Sequence, residues 1–176
     1  MFTREWLAVD TGQALRFFFE RLKDVSENSS APDSELLYNA SVLAHFATTS
    51  AASVEHFPAT PTSLTQVFDV FVTDRSGHLD PDLLEAGASQ CLVLTGFFCR
   101  QLRRRHNVDW YAGLGAGYYR QAARRSADRD RARMMRVMAG RFEFWRYQQD
   151  RLARELRDEA FLLFQRWTPR GKMPAA

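Results

Sequence analysis

The sequence predicts an all-α fold, a single-domain bundle of about five to seven helices that ends in a long C-terminal helix. In several segments apolar residues recur at spacings of three and four, as they do on the buried side of an amphipathic helix. Strand-like alternation is absent apart from the short ambiguous run VFDVFVT at 67–73. A chain of 176 residues fits one ordinary domain. We therefore expect residues 1–168 to form that domain and 169–176 to be a disordered tail.

The first predicted helices alternate with turn-forming segments. The apolar spacing predicts a helix over 3–23, which the polar loop DVSENSSAPDS follows. Pro32 suits the first turn of a second helix, predicted to run through residue 46. Residues 48–63 contain two prolines and many small polar residues, so they look the least ordered. The sequence restarts a helix at Pro61.

The second half of the chain carries clearer helix boundaries. Asp80 places an acceptor side chain ahead of a proline, which predicts a helix over 81–105. Asn107 is the predicted N-cap of the next helix. The final segment, about 127–167, lacks proline, and Gly140 interrupts it as either a kink or a break into two helices. Its apolar stripe consists of Met138, Phe142, Trp145, Gln149, Leu152, Leu156, Ala160, Leu163 and Trp167.

Charge is divided unequally along the chain. Residues 1–99 contain 5 basic and 13 acidic residues, whereas residues 100–176 contain 19 basic and 8 acidic ones. This split allows either an anionic partner for the basic half or attraction between the two halves. Only two of the 24 basic residues are lysines. A GC-rich genome produces that bias through codon usage alone, so arginine content by itself does not identify a phosphate-binding protein.

Two groups of arginines are candidates for binding an anion or a nucleic acid. The first closes the predicted 81–105 helix, where cations also complement the helix dipole. The second recurs at spacings of four, four and three, so it forms one basic stripe that can follow a phosphate backbone or is simply a solvated helix face. Among the aromatic residues beyond it, we assign Phe142 and Trp145 to the core, which leaves Phe144 and Tyr147 to stack on bases. The candidate arginines are Arg103, Arg104, Arg105, Arg125, Arg129, Arg133 and Arg136.

A second candidate site is a small polar pocket near the start of the helix that Asn107 caps. We expect Asp109 to pair with one of the preceding arginines and so to lock the corner between two helices. The glycines of GLGAGYY follow no strand, so they do not predict a phosphate-binding loop. Instead, we expect Gly113 or Gly117 to allow close contact between helices, or the helix to begin late. The pocket candidates are Asp109, Tyr111, Tyr118 and Tyr119.

The sequence lacks the common catalytic and metal-binding motifs. It contains no Walker-type loop, no Gly-x-Ser-x-Gly, no His-Glu-x-x-His and no Cys-x-x-Cys. No glutamate has a histidine three residues further on, which is the pattern of di-iron bundles. We therefore expect no catalytic residue, no metal site and no cofactor. The four histidines are scattered along the chain, so their spacing does not test a metal site that the fold would assemble from them.

Features of the chain as a whole indicate its location. The longest apolar runs are far too short to span a bilayer, and the N-terminus has no secretory signal. Cys91 and Cys99 lie eight residues apart on one predicted helix, too far apart to bond to each other. We therefore expect free thiols, a cytoplasmic protein and no transmembrane segment.

The stretch LVLTGFFCRQLRRRHNVDWYAGLGAGYY at 92–119 resembles a family of uncharacterised bacterial all-helical proteins. The shared pattern is Leu-x-Leu-x-Gly-Phe-Phe, then a leucine with paired basic residues, then Val-Asp-x-Tyr, Gly115 and Tyr119. The family tends to place Gly-Asp before the first run, where this chain has Gly87-Ala88. The resemblance implies a bacterial origin and a hallmark corner at 101–121, but no particular activity. Earlier positions that look similar to the family are Glu35, Tyr38, Leu43 and Phe46.

Three functions remain open on the sequence alone. Foremost is a non-catalytic helical protein-interaction or regulatory module that binds a protein partner or self-associates. The second is a nucleic-acid or anionic-surface binder that uses the seven arginines. The third is a small-ligand-binding protein or an enzyme with its pocket near Asp109 and Tyr111. Because no nucleophile and base come together in the sequence, the balance leans against an enzyme.

Overall fold

Seven α-helices and one turn of 3-10 helix make up the described part of the protein. The structure, a computed structural model, describes residues 11–52 and 80–167, and these contain no strand. The predicted all-α fold is confirmed, as is the long C-terminal helix, which has 26 residues. The helices are α1 (Thr11–Val25), α2 (Asp33–Ala52), α3 (Pro81–Thr95), α4 (Cys99–Leu102), α5 (Val108–Arg125), α6 (Arg129–Gly140) and α7 (Phe142–Trp167), and the 3-10 turn is Glu27–Ser29.

Some predictions concern parts of the chain outside the described residues. These are the beginning of the first helix at 3–10, the helix that restarts at Pro61, the ambiguous run at 67–73 and the tail at 169–176. Among the helices of 11–52 and 80–167, none is both long enough and apolar enough to cross a membrane.

Side chains that precede three helices accept hydrogen bonds from the first free N–H groups. The Asp80 carboxylate accepts from the Asp82 N–H at 2.8 Å, and the Asn107 side chain accepts from the Trp110 N–H at 3.1 Å. Asp128 plays the same role for α6 and accepts from two N–H groups. Each such cap contributes about 1 kcal/mol. The predicted helix starts at Asp80-Pro81 and Asn107 are confirmed.

The prediction of one continuous helix over 81–105 is wrong, because α3 ends at Thr95 and the short α4 follows a turn. Gly96 makes this end possible, and its N–H bonds the Leu92 carbonyl at 2.8 Å. A Cβ atom on Gly96 would lie 2.8 Å from that carbonyl oxygen and 3.1 Å from the Arg146 carbonyl oxygen of α7. Only glycine therefore allows the two backbones to cross this closely. As a result, residues 103–105 lie in a turn, not in the last turn of a long helix.

Two further boundaries differ from the simplest prediction. Helix α2 extends to Ala52, beyond the predicted end at residue 46, since its last turns are rich in alanine, the best helix former. At Gly140 the structure has a break into two helices. Arg141 leaves the helical conformation there, with φ of −110° and ψ of 21°, and α7 begins at Phe142.

Helix α3 lies at the centre of the core and is buried on most sides. Helix α5 runs antiparallel along it, since residue 91 approaches residue 115 while residue 89 approaches residue 119. A Cβ atom on Gly115 would lie 2.6 Å from Cys91 Cβ and 2.8 Å from Phe142 Cζ. By contrast, nothing lies within 4 Å of a Cβ atom on Gly113 or Gly117. The predicted role of those two glycines is wrong: Gly115 makes the close contact, and α5 begins at Val108 without delay.

Buried polar groups tie distant helices together. Glu35 on α2 is 5% exposed. Its carboxylate accepts from Trp145 Nε1 at 2.8 Å and from Arg141 Nη1 at 2.9 Å. Arg146, 8% exposed, donates to the Thr95 carbonyl at the end of α3 at 3.1 Å. Within the predicted apolar stripe of α7, the side chains of Phe142, Trp145, Gln149 and Leu152 are all buried.

Candidate anion-binding face

Six exposed arginines lie at the hairpin between α5 and α6, and we call them the basic face. None of their guanidinium groups lies within 4 Å of a carboxylate in the part of the chain that the structure describes. Residues 120–136 contain seven arginines and two aspartates, a formal charge of +5. The basic face consists of Arg120, Arg124, Arg125, Arg129, Arg133 and Arg136.

Local geometry fixes these arginines on two neighbouring helices. Residues 126–128 connect α5 to α6, and Phe142, just beyond the end of α6, contacts Gly115. Helix α6 therefore runs back antiparallel along α5. Arg129 and Arg133 are one turn apart, as are Arg120 and Arg124, so each pair projects from one side of its helix. Below them, Ala122, Ala123, Ala132 and Met135 are buried and anchor the hairpin to the core.

A seventh arginine of the hairpin, Arg131, is neutralised. Its guanidinium lies 2.6 Å from Asp82 Oδ1 and 2.5 Å from Glu85 Oε2, so it joins α6 to α3. The hydrogen bond to Glu85 and the two negative charges raise the pKa of Arg131. Arg131 therefore makes a structural contact between α6 and α3, whereas the arginines of the basic face have no carboxylate partner among the described residues.

The seven arginines selected from the sequence do not form one site. Arg125 ends α5, whereas Arg129, Arg133 and Arg136 lie on α6, so the predicted single stripe spans two helices. Arg120 and Arg124, which the sequence reasoning missed, extend it along α5, and their spacing of four was the available signal. The remaining three selected arginines, Arg103, Arg104 and Arg105, lie exposed at the opposite end of α5.

Distance separates these two arginine groups. Helix α5 has 18 residues, which corresponds to a length of about 27 Å at 1.5 Å per residue. Arg103, Arg104 and Arg105, which we call the corner cluster, lie in the turn before this helix. The basic face begins in the last turns of the same helix and continues on α6. The two groups therefore form separate surfaces. Variants of the corner cluster can serve as controls for variants of the basic face.

The four pocket candidates are also divided. Asp109 and Tyr119 are ten residues apart on α5, or about 15 Å along its axis. The Asp109 side chain is 85% exposed, whereas Tyr118 and Tyr119 are buried. Tyr111 packs beside His106 with ring centroids 6.2 Å apart. The structure therefore does not bring the four side chains together in one pocket.

Asp109 does pair with an arginine, but with a more distant one than the sequence suggested. Arg146 Nη2 donates to Asp109 Oδ1 at 2.7 Å, while Arg146 Nη1 contacts Glu143 at 3.1 Å. The hydrogen bond and charge of Arg146 lower the pKa of Asp109, and Arg103 adds to the effect. Because Arg146 also bonds the end of α3, this contact fixes the corner between α3, α5 and α7.

Partly buried hydroxyl groups form a hydrogen-bond network between α2, α3 and α5. Tyr38 Oη donates to Glu85 Oε1 at 3.0 Å. Ser89 Oγ lies 3.2 Å from Tyr38 Oη and 3.0 Å from Tyr119 Oη. Burial raises the pKa of both tyrosines far above the ordinary value. Both tyrosines stay protonated at neutral pH, and the network links α2, α3 and α5.

The aromatic residues proposed to stack on bases are not part of the basic face. Phe142 and Trp145 are buried in the core, as predicted. Phe144 packs against the core, with the Arg141 guanidinium 4.3 Å from its ring centroid. Tyr147 is 56% exposed on α7. Neither Phe144 nor Tyr147 belongs to α5 or α6.

A shallow groove between α1 and α2 is a separate surface feature. It has a volume of about 510 Å³. Leu15, Phe19 and Leu37 supply apolar walls, and Arg16 and Asp33 supply opposite charges. Leu37 is half exposed, so the groove presents apolar surface to the solvent.

Within residues 11–52 and 80–167, no three His, Cys, Asp or Glu side chains are grouped so that they could hold a metal ion. No protein-family model, no curated protein and no solved structure matches the chain. The resemblance to bacterial helical proteins therefore stays a prediction.

Proposed function

We propose that the protein is a non-catalytic helical module that binds a polyanion through its basic face. The observation that carries this proposal is the set of six exposed arginines without a carboxylate partner among the described residues. Guanidinium groups form paired, charge-assisted hydrogen bonds with phosphate and sulfate oxygens. Because the six guanidinium groups have no carboxylate partner among the described residues, they remain able to form such hydrogen bonds with a ligand.

Three arginines that do contact carboxylates lie at contacts between helices, and this supports the proposal. Arg131, Arg141 and Arg146 each contact at least one carboxylate, and they join different helices. Arginines that connect helices are therefore paired with carboxylates in this structure. Codon bias raises the number of arginines, but it does not explain why six exposed arginines without a carboxylate partner among the described residues lie on one hairpin, compared with three in the corner cluster.

Retention on immobilised heparin, a sulfated polyanion, tests the proposal. We expect wild-type protein to elute only at raised salt, and the double variant Arg129→Glu, Arg133→Glu to elute at clearly lower salt. The matched control is Arg104→Glu, Arg105→Glu in the corner cluster, which changes the charge equally. Thermal unfolding confirms that all three proteins are folded. The proposal fails if both variants shift elution equally, since net charge alone then explains retention, or if wild type is not retained.

A second candidate function is a protein-interaction module, the leading interpretation of the sequence. The groove between α1 and α2 favours it, and the occupant that suits its shape and charge is an amphipathic helix of a partner protein. Apolar anchors of that helix would contact Leu15, Phe19 and Leu37, and its flanking charges would meet Arg16 and Asp33. The variant Leu37→Glu tests this candidate: it should abolish association with such a partner and leave heparin retention unchanged.

A reducing, cytoplasmic location remains part of the proposal. Cys91 and Cys99 are both buried free thiols, which accords with such a compartment. Burial also raises the pKa of Cys91 to about 12. Its thiol therefore stays protonated near neutral pH, which supports a packing role and not a catalytic one.

A further inference from the structure

We infer that the polyanion is double-stranded DNA, and that the basic face contacts its phosphate backbones without recognising the base sequence. This inference rests on the proposed function of the basic face and narrows it to one class of ligand. Single strands, anionic membranes and sulfated polysaccharides are the alternatives that carry similar charge. Three properties of the face favour a duplex over single strands and membranes: its side-chain types, its width and its rigidity. Sulfated polysaccharides are distinguished from a duplex by the experiment below.

The side-chain types argue against single strands and membranes. Binding of single strands relies on aromatic rings on which bases stack. Binding in a membrane interface requires apolar side chains that enter the acyl region. Residues 120–136 supply neither, since their larger apolar side chains, such as Met135, pack toward the core. The exposed large apolar side chains of the described residues lie outside 120–136, at Phe17, Leu37, Leu83, Trp110 and Tyr147, and Leu83 is the one next to a contact of the hairpin, Asp82.

The width of the face suits two phosphate strands. Arg129 and Arg136 are seven residues apart, which places them about 10 Å apart along α6. Packed neighbouring helices lie 8–10 Å apart, so the arginines of α5 form a second row at roughly that distance. The major groove of B-DNA is about 12 Å wide. With the reach of their long side chains, two such rows can contact phosphates on both sides of a groove, whereas a single strand offers only one row.

The face is also held in place before any ligand binds. Asp128 caps α6, so its carboxylate is occupied by backbone N–H groups. Arg131 fixes the same turn to α3 through Asp82 and Glu85. Because the backbone of the hairpin is already fixed, binding a rigid duplex orders mainly the arginine side chains. Helix α6 contains no asparagine or glutamine, the residues that pair with adenine edges, and Gln121 on α5 is half-buried.

The salt dependence of binding gives a quantitative test. With six phosphate contacts, the log–log slope of affinity against salt is about −5 for a duplex. A fourfold rise in salt then lowers the affinity roughly 1000-fold. Each arginine replaced by glutamine reduces the steepness of the slope by about one. A single strand, which contacts one row, gives weaker binding and a shallower slope.

The experiment compares three probes: a short mixed-sequence DNA duplex, one of its strands alone, and vesicles that contain phosphatidylserine. Fluorescence anisotropy at several salt concentrations reports on the two DNAs, and co-sedimentation reports on the vesicles. We expect the duplex to bind most tightly, irrespective of its sequence. For Arg129→Gln, Arg133→Gln the slope should become shallower by about two. The variant Arg104→Gln, Arg105→Gln should keep the wild-type slope.

The possible results distinguish a failure of this inference from a failure of the proposed function. A single strand that binds as tightly as the duplex, or vesicle binding without duplex binding, overturns the inference and leaves the polyanion proposal standing. The same holds if heparin retention depends on the basic face while no DNA binds. If Arg129→Gln, Arg133→Gln leaves both heparin retention and the duplex slope unchanged, both proposals fall. Circular dichroism confirms that each variant is folded.

Discussion

Adding one methyl group at Gly115 and at Gly117 separates the effect of packing from that of helix propensity. Both glycines lie in the interior of α5 and have negative φ angles, so alanine fits the backbone at either position. A Cβ atom on Gly117 meets nothing within 4 Å. The same atom on Gly115 would lie 2.6 Å from Cys91 Cβ and 2.8 Å from the Phe142 ring. No pair of carbon atoms approaches that closely without a shift of the surrounding structure.

The magnitudes follow from these two environments. Gly117→Ala should raise the free energy of unfolding by about 0.5–1 kcal/mol, because alanine loses less backbone entropy in a helix. Gly115→Ala gains the same amount and loses about 1–3 kcal/mol through overpacking in the core. We therefore expect Gly115→Ala to be about 1–3 kcal/mol less stable than Gly117→Ala. The clash involves Cys91 Cβ, which is close to the α3 backbone, so a side-chain rotation at that residue cannot relieve it.

Urea unfolding followed by circular dichroism measures both variants. Equal slopes of free energy against urea would show that the midpoints report stability. If Gly115→Ala proved as stable as Gly117→Ala, the close approach of α3 and α5 would be wrong. If Gly117→Ala proved destabilising, that face of α5 would be covered in the folded protein.

Two further predictions concern the buried polar contacts. Glu35→Ala leaves the Trp145 N–H and the Arg141 guanidinium without their carboxylate, so it should lower the free energy of unfolding by about 3 kcal/mol in a urea titration. Glu35→Gln should cost less, since its amide oxygen still accepts from Trp145, and equal losses in the two variants would argue against this contact. Burial raises the pKa of Tyr38, so above about pH 10, the ordinary tyrosine pKa, the unfolded chain releases a proton that the folded protein keeps, and stability falls as the pH rises. Tyr38→Phe should therefore lose stability less steeply than wild type above about pH 10, while Tyr147→Phe, an exposed control, should follow wild type; identical curves for all three would contradict burial of Tyr38.

Features that depend on a few neighbouring residues were predictable from the sequence. Asp80 and Asn107 cap their helices because an acceptor side chain and the free N–H groups are only two or three residues apart. The interruption at Gly140 and the core positions of Phe142 and Trp145 follow from local propensity and periodicity in the same way.

Features that depend on distant residues were not predictable. Glu35 and Trp145 are 110 residues apart in the chain, so no spacing rule connects them. Asp109 has three arginines a few residues before it, yet Arg146, 37 residues later, takes the hydrogen bond. The choice among Gly113, Gly115 and Gly117 depends on which side of α5 faces Cys91. The basic face, likewise, is recognised only when the hairpin places Arg120 and Arg124 of α5 beside the arginines of α6.

Nuclear magnetic resonance mapping of DNA contacts tests the central claim most directly, since it locates binding residue by residue. A short DNA duplex is titrated into isotopically labelled protein at low salt, and the amide and arginine side-chain resonances are followed. We predict that shifts concentrate in residues 120–136, that the side-chain signals of Arg129 and Arg133 move most, and that raised salt reverses the changes. Shifts centred on residues 103–105 or on the groove between α1 and α2, or no shifts at all, would contradict the assignment of the basic face as the binding surface.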